Sequence, residues 1–350
     1  MSGTAGRAAV IAGVGSCLPP RVVGNEELAR RLDTSDEWIR SRTGIARRHL
    51  VDPGTATAAL AVEAGASALK SAGRADVDSV IVATTTPERL CPATAPQVAA
   101  RLGLAGVAAH DVSAVCTGFL YGLATAAGQI ATGLADRVLL VGAEAFSTIV
   151  NPADRTTAVI FADGAGAVVL RAGTADEPGA VGPCVLGSDG DLSDLITIPA
   201  GGSGHRSRGV PAHPDDHYFQ MQGRDVYRHA VERTTEAALA ALARAGWRCE
   251  DVDRFVPHQA NARICAAIAE RLDIGSDRQA SNIERVGNTA AASIPLLLAD
   301  EAAAGRLASG DRVLLAAFGG GLTWGATTLT WPELAAVAAP ATAAVREPAG

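Results

Sequence analysis

A cysteine reacts as its thiolate, so the six cysteines of this 350-residue chain are the first candidates for chemistry: Cys17, Cys91, Cys116, Cys184, Cys249 and Cys265. They form no C-x-x-C pair and no closely spaced framework, so reduced thiols, mostly buried as small hydrophobes, are expected. Cys116 stands apart through its neighbours. In Asp111–Gly122 a short strand ending near Val115 meets an apolar helix running from Thr117 to about Thr132. A thiol there sits at a helix N-terminus, where the dipole and unpaired N–H groups favour the thiolate. Taken alone, the junction suits a buried structural cysteine more readily than a nucleophile.

The elements that must position such a thiol occur twice. The helical stretch Ala58–Ala72 leads through Gly73 and Asp76-Val77-Asp78 into the strand Ser79–Ala83; Ala237–Ala245 leads through Gly246 and Asp251-Val252-Asp253 into Arg254–Pro257. Arg101-Leu102-Gly103-Leu104 is echoed by Arg271-Leu272-Asp273-Ile274, and Asp136-Arg137-Val138-Leu139-Leu140 recurs letter for letter from Asp311. The offsets are 173, 170 and 175 residues, far too long for a solenoid. Helices alternating with short apolar strands predict an α/β protein with mostly parallel sheets, built from two similar halves at 1–171 and 172–331. An offset of 172 sets Asn288 at the turn equivalent to Cys116, and His258 directly follows the repeated strand. A pseudo-twofold would bring Cys, His and Asn to one crevice, a set suited to thioester chemistry.

Seven blocks then resemble one family. They are Asp33–Ile39, Arg42–Ile45, the Cys116 segment, Asp163–Ala167, Val256–Ile264, Gly287–Pro295 and Phe318–Gly325. Together, in order over residues 8–331, they are similar to β-ketoacyl-carrier-protein synthase III of the thiolase-like superfamily. The resemblance implies a five-layered αβαβα sandwich, a homodimer, and substrates that are coenzyme A thioesters with no tightly bound cofactor. It implies that Cys116 takes an acyl group from acyl-CoA, and that a malonyl thioester on acyl carrier protein then decarboxylates and attacks it. His258 and Asn288 would hydrogen-bond the enolate oxygen, and the backbone N–H groups of Cys116 and Gly320 would form an oxyanion hole. Phe318 would wall the site. Trp38 and Arg155 would flank the adenine, with Thr34 and Arg42 assisting.

Two positions depart from the family pattern. Cys91, in Leu90-Cys91-Pro92, replaces an aromatic residue that reaches into the partner's acyl pocket, so a primer larger than acetyl is expected. Glu270 stands beside Arg271 where paired basic residues serve carrier docking, leaving Arg263 for that task. An acyltransferase that uses the Cys116 thioester but delivers to a hydroxyl, amine or other acceptor is the alternative, and a silent scaffold subunit a third.

Other signals carry less. A second histidine in place of Asn288 would mark elongating synthases. A cysteine in the final glycine-rich loop would mark degradative thiolases, and none follows Cys265. Gly13-Val14-Gly15 is only part of a dinucleotide fingerprint, with Leu18 at the third glycine position. His213 and His217 enclose Pro214 in a polar stretch, so a surface cluster is expected rather than a metal site. His49, His110, His205 and His229 carry no motif. A net charge of −7 without a basic block argues against nucleic acid. No apolar run reaches the ~18 residues of a membrane span, and Ala8–Val14 is too short for a signal peptide, so a cytoplasmic protein is expected. Ala172–Gly223 reads as loops, and 332–350 as a disordered tail.

Overall fold

The computed structural model describes residues 6–334 and the backbone of 341–342. Strands β1 (Ala8–Leu18), β2 (Ser79–Ala83), β3 (Ala108–Val112), β4 (Arg137–Glu144) and β5 (Gly164–Gly173) build one sheet in the order β1-β5-β4-β2-β3. Strands β6 (Val185–Ser188), β7 (Arg254–Pro257), β8 (Arg312–Gly319) and β9 (Thr323–Thr330) build another, ordered β7-β8-β9-β6. Ala341–Thr342 pair with the end of β1; the rest of the expected disordered tail beyond 334 lies outside the described residues.

Five layers stack in space. Helices α2 (Thr57–Ser71) and α3 (Ala95–Arg101) cover the outer face of the first sheet, after α1 (Asp36–Thr43). Helices α4 (Gly118–Ala131) and α7 (Ser293–Ala303) lie between the sheets, and α5 (Gly223–Ala245) and α6 (Ala262–Arg271) cover the outer face of the second. The period of two is visible in β4: Val138 and Leu140 enter the central core while Leu139 and Val141 face α2 and α3. With both faces covered the strand has no polar face to offer water, so it reads as a continuous apolar run.

Each sheet is mixed rather than mostly parallel. β2 runs parallel to β3 and β4, and β7 parallel to β8, but β4–β5, β1–β5, β8–β9 and β9–β6 are antiparallel. The turn from Gly319 to Thr323 is too short for a crossover, so β8 and β9 form a hairpin. The segment expected to be loops carries β6, the short helix Ser203–Arg208, two 3₁₀ turns and a two-residue strand pair, Ile196–Thr197 with Gln220–Met221. Gly13 and Gly15 lie inside β1, where a β-carbon would meet backbone atoms of α2 at 2.6 and 2.3 Å. Their role is close packing. No helix among the described residues is long and apolar enough to cross a membrane.

The duplication is three-dimensional at a single offset of 175. Asp78 Oδ2 accepts the N–H groups of Asp136 and Arg137, and Asp253 Oδ2 accepts that of Arg312. Val115 (φ 47°) opens a 3₁₀ turn into α4, and Ala290 (φ 44°) opens another into α7. Cys116 therefore corresponds to Ala291, not to Asn288, which precedes its turn.

Candidate active site

Strand β3 ends at Val112, earlier than the sequence suggests, and a 3₁₀ turn over Val115–Thr117 carries the chain into α4. Val115 is β-branched yet lies in the left-handed region, a conformation that costs about 1–3 kcal/mol. The turn is pinned by the Thr117 hydroxyl, 2.6 Å from both Ala114 O and Thr323 Oγ1. Burial, and then the negative charge of Glu144, push the Cys116 thiol well above its ordinary range. The backbone N–H at the helix start acts the other way, as the sequence reading expects, and is the smaller effect.

His258 follows β7, its N–H donating to Ala316 O at 2.8 Å. Its ring is buried, and Nδ1 has no hydrogen-bond partner among the described residues. Burial alone pulls the imidazole down to about 3, so it stays neutral at working pH. Asn288 follows Gly287 (φ 82°) and is tied to the chain crossing beside it: its N–H reaches Ile160 O at 3.1 Å and its carbonyl accepts Ala162 N–H at 2.8 Å. Asn288 Oδ1 accepts Ala290 N–H at 2.9 Å, which fixes the amide orientation and leaves Nδ2 with only a long 3.4 Å bond to Ala260 O.

Cys116, His258, Asn288 and Phe318 line one cavity of about 570 Å³. Behind the cysteine stands an aromatic trio that sequence reading missed: Phe146 stacks on Phe161 at 4.3 Å, and Phe219 meets both edge-on at 5.1 and 4.9 Å. At the cavity rim are Trp38, Arg42, Arg224 and Arg263. Among the described residues none of these three arginines is in a salt bridge, so the rim is cationic on an acidic protein. Arg224 was not singled out because no motif surrounds it.

The remaining expected residues are placed as follows. Arg42 and Arg155 lie over the Trp38 ring, at 5.5 and 5.3 Å, and Arg155 also donates to Asp33 O at 2.7 Å. Arg263 covers Tyr227 at 5.9 Å. The Thr34 hydroxyl is buried without a partner among the described residues and does not line the cavity. Gly320 follows β8, packed towards Ile196 and Val115. Leu90 (78 % exposed) and Cys91 lie on an exposed loop outside the cavity of their own chain.

Comparison with known proteins agrees with this architecture. A family profile for 3-oxoacyl-(acyl-carrier-protein) synthase III matches residues 110–190, and the profile of its C-terminal part matches 242–331. Beta-ketoacyl-(acyl-carrier-protein) synthase III 3 of Streptomyces coelicolor is 61 % identical over 330 residues, covering 94 % of this chain and 98 % of that protein. The crystal structure of 3-oxoacyl-(acyl carrier protein) synthase III from Pseudomonas aeruginosa superposes with a TM-score of 0.87 at 49 % identity, covering 94 % of this chain and 99 % of that one. The priming β-ketosynthase of a polyketide biosynthetic pathway superposes equally well, TM-score 0.87, at 34 % identity over 94 % of this chain and 97 % of that one. An acyltransferase of thiolase-like fold, the chain belongs to the β-ketoacyl-(acyl-carrier-protein) synthase III family.

Proposed function

We propose that Cys116, His258 and Asn288 carry the two half-reactions of a β-ketoacyl synthase III, the condensation of an acyl-CoA with malonyl-carrier protein. The observation that supports this most is their convergence on one cavity behind a cationic rim. In the first half-reaction the Cys116 sulfur attacks the acyl-CoA carbonyl. The carbon–sulfur bond to CoA breaks, and the thiol proton leaves with CoA. The N–H groups of Cys116 and Gly320 receive the developing oxyanion. In the second, malonyl thioester loses CO₂, and its enolate carbon attacks the acyl-cysteine to form the β-ketoacyl product. The released Cys116 thiolate takes up one proton.

Neutral His258 suits the enolate step. An unpartnered buried N–H costs more than an unpartnered lone pair, so the lone Nδ1 favours the tautomer with its proton on Nε2. Asn288 Nδ2 supplies the second donor, its orientation held through Oδ1. Trp38, Arg155, Arg42 and Thr34 would hold the CoA head. Since Trp38 and Arg155 touch, a base enters between them only when Arg155 leaves Asp33. Arg263 would meet the acidic carrier protein. The exposed Leu90–Cys91 loop would cross to a partner's acyl pocket in a homodimer, where the small Cys91 leaves room for a primer larger than acetyl. The assignment also takes residues 1–171 and 172–331 as the two catalytic halves and places the reaction in the cytoplasm.

Intact-mass spectrometry tests this. Incubation with mixed acyl-CoAs should add one acyl group, absent in Cys116→Ser, and malonyl-carrier protein should then remove it with CO₂ release. Asn288→Ala should still acylate but release no CO₂. Acylation that persists in Cys116→Ser, or condensation that survives loss of Asn288, would sink the assignment.

A further inference from the structure

One buried ionisable group has no part in that chemistry. Glu144 ends β4 fully buried, and its carboxyl collects donors: Thr85 N–H at 3.0 and 3.1 Å, the Thr86 hydroxyl at 2.8 Å and Ala291 N–H at 3.4 Å. Thr86 Oγ1 in turn accepts Ala145 N–H at 2.9 Å. The 175-residue offset gives these contacts a meaning. It maps Cys116 onto Ala291, Gly320 onto Ala145, and Gly319 onto Glu144. The two N–H groups assigned to the oxyanion hole thus have counterparts in the half that lacks a nucleophile. There they point at the Glu144 carboxyl and the Thr86 hydroxyl bonded to it. In the catalytic half the corresponding place is left open by Gly319, whose added β-carbon would come within 2.8 Å of Cys116 N.

We propose that Glu144 is an internal stand-in for the substrate oxyanion, filling the duplicated hole, and that it acts as a positioning residue which holds Cys116 as a thiol until substrate arrives. The proposal rests on the oxyanion-hole reading above. The Ala291 turn that bonds the carboxyl packs against the Cys116 turn, where a β-carbon on Gly118 would lie 3.4 Å from that of Ala291, and the Glu144 charge pushes the Cys116 thiol up, second to burial. The groups that bond the carboxyl are uncharged, and among the described residues Cys116 is the group its charge shifts. Burial lifts Glu144 to about 7, so its charge changes in the working range. An anion in a closed nest of N–H groups also fixes the Ala290–Ala292 turn next to Asn288.

The test is the pH profile of Cys116 alkylation by iodoacetamide, read on the Cys116 peptide by mass spectrometry. It needs neither acyl-CoA nor carrier protein, so its outcome is separate from that of the condensation assay. Glu144→Gln should shift the profile to lower pH and speed alkylation at neutral pH about tenfold, one pH unit, while Glu144→Asp should keep the original profile. Glu144→Ala should alkylate faster too, and acetate, which replaces the missing carboxylate, should slow it again and raise the melting temperature. Acetamide and sodium chloride at equal concentration should do neither. If Glu144→Gln does not fold, Thr86→Val, which removes the shortest bond to the carboxylate and so favours its neutral form, should shift the profile in the same direction. Superimposable profiles for Glu144→Gln and the unsubstituted protein overturn the electrostatic role. Rescue by acetamide as well as acetate overturns the anion hole.

Discussion

Gly319→Ala tests the oxyanion hole with a single carbon. Gly319 ends β8 opposite Thr323, and a β-carbon there would lie 2.8 Å from Cys116 N, 3.0 Å from Thr117 N and 3.3 Å from Ala114 O. All three are backbone atoms of a turn held at 2.6 Å by Thr117 and Thr323, so none can retreat as a side chain would. The new methyl should cover the Cys116 N–H without touching the sulfur chemistry. Loss of one oxyanion donor lowers kcat by about 10²–10³, or about 3–4 kcal/mol of transition-state stabilisation. Overpacking should cost the fold about 1–3 kcal/mol, which a protein of this size can bear. The assay is rapid-quench acylation of Cys116 at saturating acyl-CoA, read by intact mass, alongside iodoacetamide alkylation and a thermal melt. Acylation should fall by that factor while alkylation, which builds no oxyanion, changes little. Unchanged acylation in a variant that melts lower would refute the use of this N–H, because the methyl would then be present and harmless.

Two buried groups should act oppositely on stability as pH changes. His258 is lowered from 6.5 to about 3, so its contribution is full above 6.5 and lost as pH falls towards 3, a gap of about 5 kcal/mol. Glu144 is raised from 4.5 to about 7, so its contribution is present below 4.5 and lost as pH rises towards 7, about 3 kcal/mol. Urea melts across this range should show a flatter acid side in His258→Gln and a flatter rise-through-neutral loss in Glu144→Gln. Trp38→Ala should raise the KM for acyl-CoA about tenfold, the worth of one stacked cation–π contact and its ring surface, with the acylation rate at saturation kept. Arg224→Ala should raise the same KM and weaken its dependence on salt, and a salt slope equal to that of the unsubstituted protein would remove Arg224 from the rim. Phe219→Leu should open the wall behind Cys116 and improve turnover of longer acyl-CoAs relative to acetyl-CoA.

Much of this architecture was legible because duplication leaves letters behind. Asp136–Leu140 and Asp311–Leu315 keep the same residues since both strands are covered on two faces and bracketed by the same aspartate contact. The Asn288 alignment failed by three residues for a physical reason. The turn is marked by a positive φ, and Val115 and Ala290 carry no side-chain signature of it. Mixed pairing was missed because an apolar strand buried on both faces has the same composition in either direction. Glu144 escaped notice since a lone acidic residue after Val-Gly-Ala looks like a strand end; only the folded turns supply its donors. The Phe146, Phe161 and Phe219 trio is spread over separate segments, and no periodicity links them.

The repeated strand also has a consequence for how the chain assembles. β4 and β8 begin with the same four residues, Arg-Val-Leu-Leu, each preceded by an aspartate, so while the chain is collapsing either could pair beside β2, a wrong docking characteristic of duplicated proteins. The strands part from their fifth residue onward, and the sixth decides the fit. Gly142 lies so close to Ala291 that a β-carbon would sit 2.4 Å from its carbonyl oxygen, and the corresponding residue of β8 is Ala317. A swapped β8 would drive that methyl into the Ala291 turn. One hydrogen atom in place of a methyl thus helps sort two otherwise interchangeable strands into their own sheets.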